Sequence, residues 1–215
     1  MEITWYGHSC FRITERGQTT VITDPYDETI GLPPLKLRGD VVTISHETPG
    51  HGAAGAIKGE PFVINSPGEF EIGGTFIYGY AMHHVDENTG FSRRNVAYLI
   101  DYPTGLNVLH LGDLSHVPDQ RTIQGLGQVN VVLVPVGGGN SLKASTAAEV
   151  IALIEPQYII PMHYQIPGLK VELEPVEKFL KAMGVSRVHE DDALRVTTNE
   201  LPEQPQIVVL NLKAE

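Results

Sequence analysis

The chain has 215 residues, of which 41% are hydrophobic and 19% are charged, and its 26 acidic and 15 basic residues give a formal net charge of −11. This length suits a single domain over residues 1–215 that is built from two similar halves around a sizeable core. The acidic balance argues against nucleic acid as a partner, because phosphate backbones repel a negative protein that has no basic patch. No apolar run approaches the roughly 20 residues of a membrane span, so no membrane partner is expected.

The N-terminal segment and the cysteine content predict the cellular compartment. Residues 1–11 contain no basic stretch followed by an apolar one, so no secretory signal is predicted and the cytoplasm is the expected location. The single cysteine, Cys10, cannot form an internal disulfide, and it is expected to be a small core residue. The sequence leaves the oligomeric state open, and a homo-oligomer is compatible with it.

The first part of the chain reads as short β-strands. Residues 2–13 predict one extended segment, and residues 19–23 predict the strand that completes a hairpin with it. This second strand ends at Asp24, which either orients a histidine or forms a turn. Residues 41–44 predict another strand, followed by a polar loop, and a helix is expected to begin at His51.

The remaining elements alternate between apolar runs and helical spacing, which favours an α/β fold. Further strands are predicted over residues 61–65, 70–82, 95–102, 106–111, 129–136, 158–161, 185–188, 195–198 and 206–212, and helices over 118–126, 145–154 and 175–183.

Histidines and one aspartate recur where the predicted strands end. They are His46, His51, His83, His84, Asp113 and His163. Loops at the carboxyl ends of strands meet at one edge of an α/β sheet, so these side chains can converge on one divalent ion. Neutral imidazole and carboxylate suit zinc, iron or manganese, whereas a structural zinc would usually bring cysteines. The alternative is that the histidines are packed or solvated residues that fall at strand ends by chance.

Several separated motifs, in this order, resemble the metallo-β-lactamase fold superfamily, and within it the small lactonase-like hydrolases related to ascorbate-6-phosphate lactonase. The matching segments are residues 5–9, 23–25, 45–51, 67–71, 84, 111–113, 135–138 and 161–164. The resemblance implies an α/β, four-layer αβ/βα sandwich of two pseudo-symmetric halves with a metal centre at one end of the sheets. It also implies hydrolysis by a metal-activated water.

The resemblance also implies a ligand set, and this sequence departs from it in the central loop. In the family the loop reads H-x-H-x-D-H; His46 and His51 match its outer histidines, but Thr48 and Gly50 stand where a histidine and an aspartate are expected. The metal ligands implied for this chain are His46, His51, His84, Asp113 and His163, with Asp24 behind a ligand histidine. Two fully occupied metal sites are therefore not expected.

Two functions remain open from the sequence. The first is a metal-dependent hydrolase of an ester, lactone or phosphoester-type bond in a small-molecule substrate. It would use one divalent metal, zinc in the first place with manganese or iron as alternatives, bound by His51, Asp113 and His163. Asp113 and His51 are the candidate catalytic residues. Gly50 weakens this hypothesis, because the family's aspartate there orients the attacking water. The second function is that of a catalytically silent binding or regulatory module with the same fold.

Overall fold

Two large β-sheets, a two-stranded sheet and three α-helices form the protein in the computed structural model, which describes residues 1–82, 84–85, 92–185 and 188–213, with the backbone alone for residues 84–85 and 92–93. The strands are β1 (Glu2–Trp5), β2 (Phe11–Thr14), β3 (Val21–Thr23), β4 (Val41–Thr43), β5 (Phe62–Ile64), β6 (Gly68–Ile72), β7 (Thr75–Ala81), β8 (His84–Val85), β9 (Ser92–Arg93), β10 (Val96–Asp101), β11 (Asn107–His110), β12 (Val131–Pro135), β13 (Tyr158–Met162), β14 (His189–Asp191), β15 (Leu194–Arg195) and β16 (Gln206–Leu210). The helices are α1 (Gln120–Leu126), α2 (Ala144–Ile154) and α3 (Val176–Ala182).

The first sheet has the strand order β15-β1-β2-β3-β4-β5. Its strands β1, β2 and β3 are antiparallel neighbours, whereas β4 and β5 run parallel to β3. Every residue of β3 and β4 is buried, which agrees with their β-branched, apolar sequences. The carboxyl ends of these two strands therefore open side by side at one edge of the sheet.

The second sheet has the strand order β14-β16-β13-β12-β11-β10-β7-β6. Strands β11, β12, β13 and β16 are parallel, and all residues of the central strand β12 are buried, as is typical of a parallel strand covered on both faces. A buried tyrosine connects the two sheets. Tyr98 of β10 donates its hydroxyl to the carbonyl oxygens of Ile44 at 3.0 Å and Ile64 at 3.2 Å.

The α/β fold class is confirmed, but three of the sequence predictions for the first half are wrong. Residues 2–13 form two strands, because residues 6–10 make a turn in which Gly7 has a φ of 103°. Residues 70–82 likewise divide into β6 and β7 at Gly73 and Gly74, both with positive φ. The helix expected at His51 is only a 3₁₀ turn over Ala54–Ala56.

The second half follows the sequence prediction more closely. All three predicted helices are present within a few residues of their expected bounds, and α1 begins after the N-cap Asp119, whose side chain accepts from the Thr122 N–H at 2.8 Å. The C-terminal strand β16 pairs with both β13 and β14. The extended segment expected over residues 185–188 lies partly outside the described residues, which do not include 186 and 187, and β14 begins at His189. No helix of the described residues is long and apolar enough to cross a membrane.

Candidate metal centre

The strand ends of both sheets bring most of the predicted site residues together. Asp24 follows β3, His46 and His51 follow β4, Asp113 follows β11, and His163 follows β13. The neighbouring parallel strands β3 and β4 explain why Asp24 and the His46 loop meet, since the Asp24 N–H donates to the Thr43 carbonyl at 2.9 Å. These side chains form a largely buried cluster between the two sheets.

The Asp24 carboxylate fixes the ring of His51. It is fully buried and lies 2.7 Å from His51 Nδ1, while its oxygens also accept from the Ser45 N–H at 2.7 Å and the Ser45 hydroxyl at 2.6 Å. Because a carboxylate only accepts hydrogen bonds, His51 carries its proton on Nδ1 and leaves Nε2 as the lone-pair nitrogen. This is the arrangement that typically orients a metal-binding histidine.

A serine has the same effect on His163. The Ser141 hydroxyl donates to the Gly138 carbonyl at 2.8 Å, so at 3.1 Å it accepts from His163 Nδ1. The His163 Nε2 then faces the Asp113 Oδ1 at 3.5 Å. His163 has a φ of 53°, a left-handed conformation that is uncommon for a residue other than glycine and is often found at functional sites.

His46 lies at the more exposed side of the cluster and contacts the residue that replaces the expected histidine. The Ser45 hydroxyl, which donates to Asp24, accepts from His46 Nδ1 at 3.1 Å. The Thr48 hydroxyl lies 3.1 Å from His46 Nε2 and donates to it. The Thr48 hydroxyl therefore takes up the lone pair of His46 Nε2 that a metal would need. The Asp113 Oδ2 lies 3.6 Å from the same nitrogen.

Asp113 is positioned by a buried asparagine. The Asn95 side chain donates to the Leu111 carbonyl at 2.9 Å and accepts the Asp113 N–H at 2.9 Å. Gly112 has a φ of 61°, and a Cβ there would lie 2.4 Å from the Ser45 Cβ, so only glycine fits at this turn. The Asn95–Asp113 contact was not predicted, because nothing in the sequence connects an asparagine before β10 with the end of β11.

A further histidine, His8, belongs to the same cluster and was missed by the sequence analysis. It lies in the turn between β1 and β2, and its ring centroid is 4.2 Å from that of His163 and 4.8 Å from that of His51. The predicted continuous strand over residues 2–13 concealed this position. The signal that could have found it is Gly7, since a glycine next to a histidine inside an apparent strand indicates a turn.

The ligand atoms sort into two overlapping groups, His8–His51–His163 and His46–His51–Asp113, each with all its ligand atoms within 4.8 Å of one another. The Nε2 atoms of His163 and His46 face the Asp113 oxygens at 3.5 and 3.6 Å. Ligands of a tetrahedral zinc with bonds of about 2.0–2.2 Å are about 3.3–3.6 Å apart. The donor set and its spacing therefore fit a divalent metal ion.

Burial keeps the imidazoles of His8 and His51 neutral by lowering their pKa values. Burial, together with the neighbouring His163, lowers the pKa of His8 to about 3. Burial and the proximity of His8 lower the pKa of His51 well below its usual range. The neutral imidazole is the form that binds metal ions.

The cluster lies at the base of a cavity of about 370 Å³. Besides the histidines and Asp113, the cavity is lined by Thr29, Thr48, Gly50, Asn140 and Lys170. A cavity of this size accommodates a small molecule. The predicted ligand His84 begins β8, but its side chain and all of His83 lie outside the described residues, so the role of His84 remains a prediction.

Two mixed-topology sheets, with imidazole and carboxylate groups gathered at their strand ends, define an α/β protein of the metallo-β-lactamase fold. The chain belongs to the beta-lactamase superfamily, since residues 2–163 match the family described as "Beta-lactamase superfamily domain".

Relatives in other organisms agree with this assignment. The chain is 26% identical over 211 residues to a protein named UPF0173 metal-dependent hydrolase of Methanoculleus marisnigri, with 87% of this chain and 92% of that protein covered. A crystal structure from Thermotoga maritima, named as a proposed Zn-dependent hydrolase of the metallo-beta-lactamase superfamily, has 35% sequence identity and a TM-score of 0.79, covering 97% of both chains. Igni18, a metallo hydrolase of Ignicoccus hospitalis, shares the fold with a TM-score of 0.64 at 20% identity, covering 85% of this chain and 90% of its own.

Proposed function

We propose that this protein is a metal-dependent hydrolase that uses one divalent metal ion, in the first place zinc, to cleave an ester, lactone or phosphoester-type bond in a small molecule. The observation that carries the proposal is the buried group of histidine nitrogens around the Asp113 carboxylate at the base of a cavity. The names of the relatives support it, because the Methanoculleus protein is called a metal-dependent hydrolase and the Thermotoga protein a proposed Zn-dependent hydrolase.

The hydrogen bonds around the cluster favour metal binding at its His51–His163 side. Asp24 and Ser141 hold the Nδ1 protons of His51 and His163, so both histidines have Nε2 available as a ligand. On the other side, Thr48 donates to His46 Nε2 and competes with a metal for that nitrogen. Gly50 supplies no ligand. One metal per chain follows from this asymmetry.

The chemistry that a bound divalent ion would supply is the acidification of a water molecule, whose pKa would fall to about 7. Asp113 is the one carboxylate among the cavity-lining residues that the structure describes, so it is the group to accept a proton from the attacking water. The Asn95 side chain accepts a hydrogen bond from the Asp113 N–H and fixes the backbone of Asp113. The Asp24 carboxylate accepts from His51 Nδ1 and fixes the ring of His51. Asn140 and Lys170 at the cavity wall provide donors for the oxygens of an ester or phosphoester.

The proposal is tested by measuring metal content and hydrolysis on the same preparations. Protein purified without added metal is analysed by inductively coupled plasma mass spectrometry, then treated with a chelator and reloaded with zinc, manganese or iron(II). Each form is assayed against p-nitrophenyl acetate, bis-p-nitrophenyl phosphate and a lactone. We expect about one metal per chain, hydrolysis of at least one substrate class, loss of that activity on chelation and its return on reloading.

Two results would contradict the proposal. If the protein binds no metal even after reloading, it is the silent binding module with this fold that the sequence left open. If it binds one metal per chain but hydrolyses none of the three substrate classes, the metal proposal stands and the hydrolase proposal fails for those bonds.

A further inference from the structure

We propose that His8 is a metal ligand of this chain and takes the place of the carboxylate that the loop lacks at residue 50. The site would then consist of the imidazoles of His8, His51 and His163, with Asp113, which faces His163 Nε2 at 3.5 Å, as its carboxylate ligand. This inference rests on the metal dependence proposed above, and it adds a ligand that comes from the β1–β2 turn, outside the H-x-H-x-D-H loop.

The backbone of His8 is fixed at the site. Its carbonyl oxygen accepts from the His163 N–H at 3.1 Å and from the Trp5 indole N–H at 3.1 Å. The turn is closed by the Cys10 N–H, which donates to the Gly7 carbonyl at 2.9 Å. His8 has a φ of 51°, in the left-handed region. A residue other than glycine keeps this backbone conformation only where the surrounding structure stabilises it. The end of β13 and the β1–β2 turn are thus joined so that His8 and His163 stay adjacent.

The Nδ1 nitrogen of His8 is buried without a hydrogen bond such as the other buried histidines make. The residue is 2% exposed, and its Nδ1 has no hydrogen-bond partner among the described residues. His110 is a useful comparison, because this fully buried histidine donates from Nε2 to the Ser9 carbonyl at 3.0 Å and accepts the Gly112 N–H on Nδ1 at 3.2 Å. An unsatisfied buried polar group costs about 1–3 kcal/mol, so hydrogen bonding within the protein does not explain why the His8 ring is buried here.

The space beside Gly50 explains why the chain lacks a carboxylate there. A Cβ at residue 50 would lie 2.9 Å from His8 Nε2 and 3.2 Å from its Cδ2. The His8 ring therefore occupies the volume that an aspartate side chain at residue 50 would enter. His8 and a carboxylate at residue 50 are alternatives for one position, and Gly50 is the residue that leaves this position to His8.

The main experiment is a double-mutant cycle on zinc affinity with four proteins: wild type, His8→Asn, Gly50→Asp and the double variant. Asparagine is chosen because it tolerates the left-handed backbone of residue 8. Zinc affinity is measured by competition with a chromogenic chelator, and thermal unfolding of the metal-free proteins checks that each is folded. His189→Asn is the matched control, because His189 is an exposed histidine remote from the cluster.

We expect His8→Asn to lower zinc affinity about 100-fold or more, since even the residues behind a metal ligand typically contribute 10–100-fold. In the Gly50→Asp background the same substitution should change affinity by less than about threefold, because the new carboxylate already supplies the ligand. His189→Asn should leave affinity unchanged. An equal loss in both backgrounds, or no loss in either, would overturn the inference, since a packing role of His8 does not depend on a carboxylate at residue 50.

A measurement on wild type covers the case in which His8→Asn does not fold. X-ray absorption spectroscopy of the zinc-loaded protein counts imidazole ligands, and we expect three; two or fewer would overturn the inference. Failure of this inference is distinguishable from failure of the proposed function. Wild type that binds no zinc contradicts both, whereas zinc binding that is equal in wild type and His8→Asn contradicts only the role of His8.

Discussion

Replacing Asp24 by asparagine tests how far the metal centre depends on a residue that does not itself line the cavity. The substitution preserves shape and removes the charge. An asparagine has one acceptor oxygen, which can keep the Ser45 N–H, and an NH₂ group that must then face the Ser45 hydroxyl and His51 Nδ1. Because NH₂ donates, His51 would shift its own proton to Nε2 and lose the lone pair that a metal needs.

The size of the effect follows from these contacts. Two hydrogen bonds to a charged group, each worth about 1.5–3 kcal/mol, are exchanged for neutral ones of about 0.5–1.5 kcal/mol, so the metal-free protein should lose about 2–3 kcal/mol of unfolding free energy. Loss of an orienting carboxylate typically costs 10–100-fold in metal affinity, which corresponds to about 1.4–2.8 kcal/mol.

Urea unfolding of the metal-free protein gives the first quantity, and competition with a chromogenic zinc chelator gives the second. Asp119→Asn is the control, because Asp119 caps α1 away from the cluster and asparagine caps a helix as well as aspartate does. Zinc affinity of Asp24→Asn within about threefold of wild type would refute the reasoning, and so would an equal loss in Asp119→Asn.

Three further substitutions test the site and the joint between the sheets. Asp113→Ala should abolish stoichiometric zinc binding, as measured by mass spectrometry of the reloaded protein, because this carboxylate lies beside both histidine groups. Gly137→Ala should lower the free energy of unfolding by about 1–3 kcal/mol and weaken zinc binding, because its Cβ would lie 2.3 Å from the His163 carbonyl oxygen. Tyr98→Phe should lower the free energy of unfolding, measured in urea, by about 1–3 kcal/mol, because the carbonyl oxygens of Ile44 and Ile64 lose their shared donor. Its zinc affinity should stay unchanged.

Controls for these variants come from the same chain. Gly125 lies inside α1, and a Cβ at this residue would have open space around it. Gly125→Ala should therefore raise the free energy of unfolding by about 0.5–1 kcal/mol, whereas Gly137→Ala should lower it. Zinc bound at full stoichiometry by Asp113→Ala would contradict its assignment as a ligand. An unchanged urea midpoint for Gly137→Ala would contradict the predicted clash with the His163 carbonyl oxygen. An unchanged midpoint for Tyr98→Phe would contradict the predicted contribution of the Tyr98 hydrogen bonds to stability.

The elements that were predicted well are those in which one sequence signal dominates. The continuous apolar run before Val136 predicted a strand buried on both faces, and β12 is such a strand. The helical spacing of Ala147, Val150 and Ile151 predicted α2, in which all three are buried. The prediction failed where a turn interrupts an alternating pattern, as at Gly7, because β-branched residues on both sides of the turn continue the same alternation.

The sequence by itself determined the fold class and the recurrence of histidine and aspartate at strand ends, because periodicity is local and the order of motifs lies in the chain. It also identified Thr48 and Gly50 as departures from the family loop. Only the tertiary structure decided what those departures mean: Thr48 donates to His46, and the space next to Gly50 is filled by His8. Residues 8 and 50 are far apart in the chain, and their contact arises only when the β1–β2 turn and the loop after β4 meet at one edge of the first sheet.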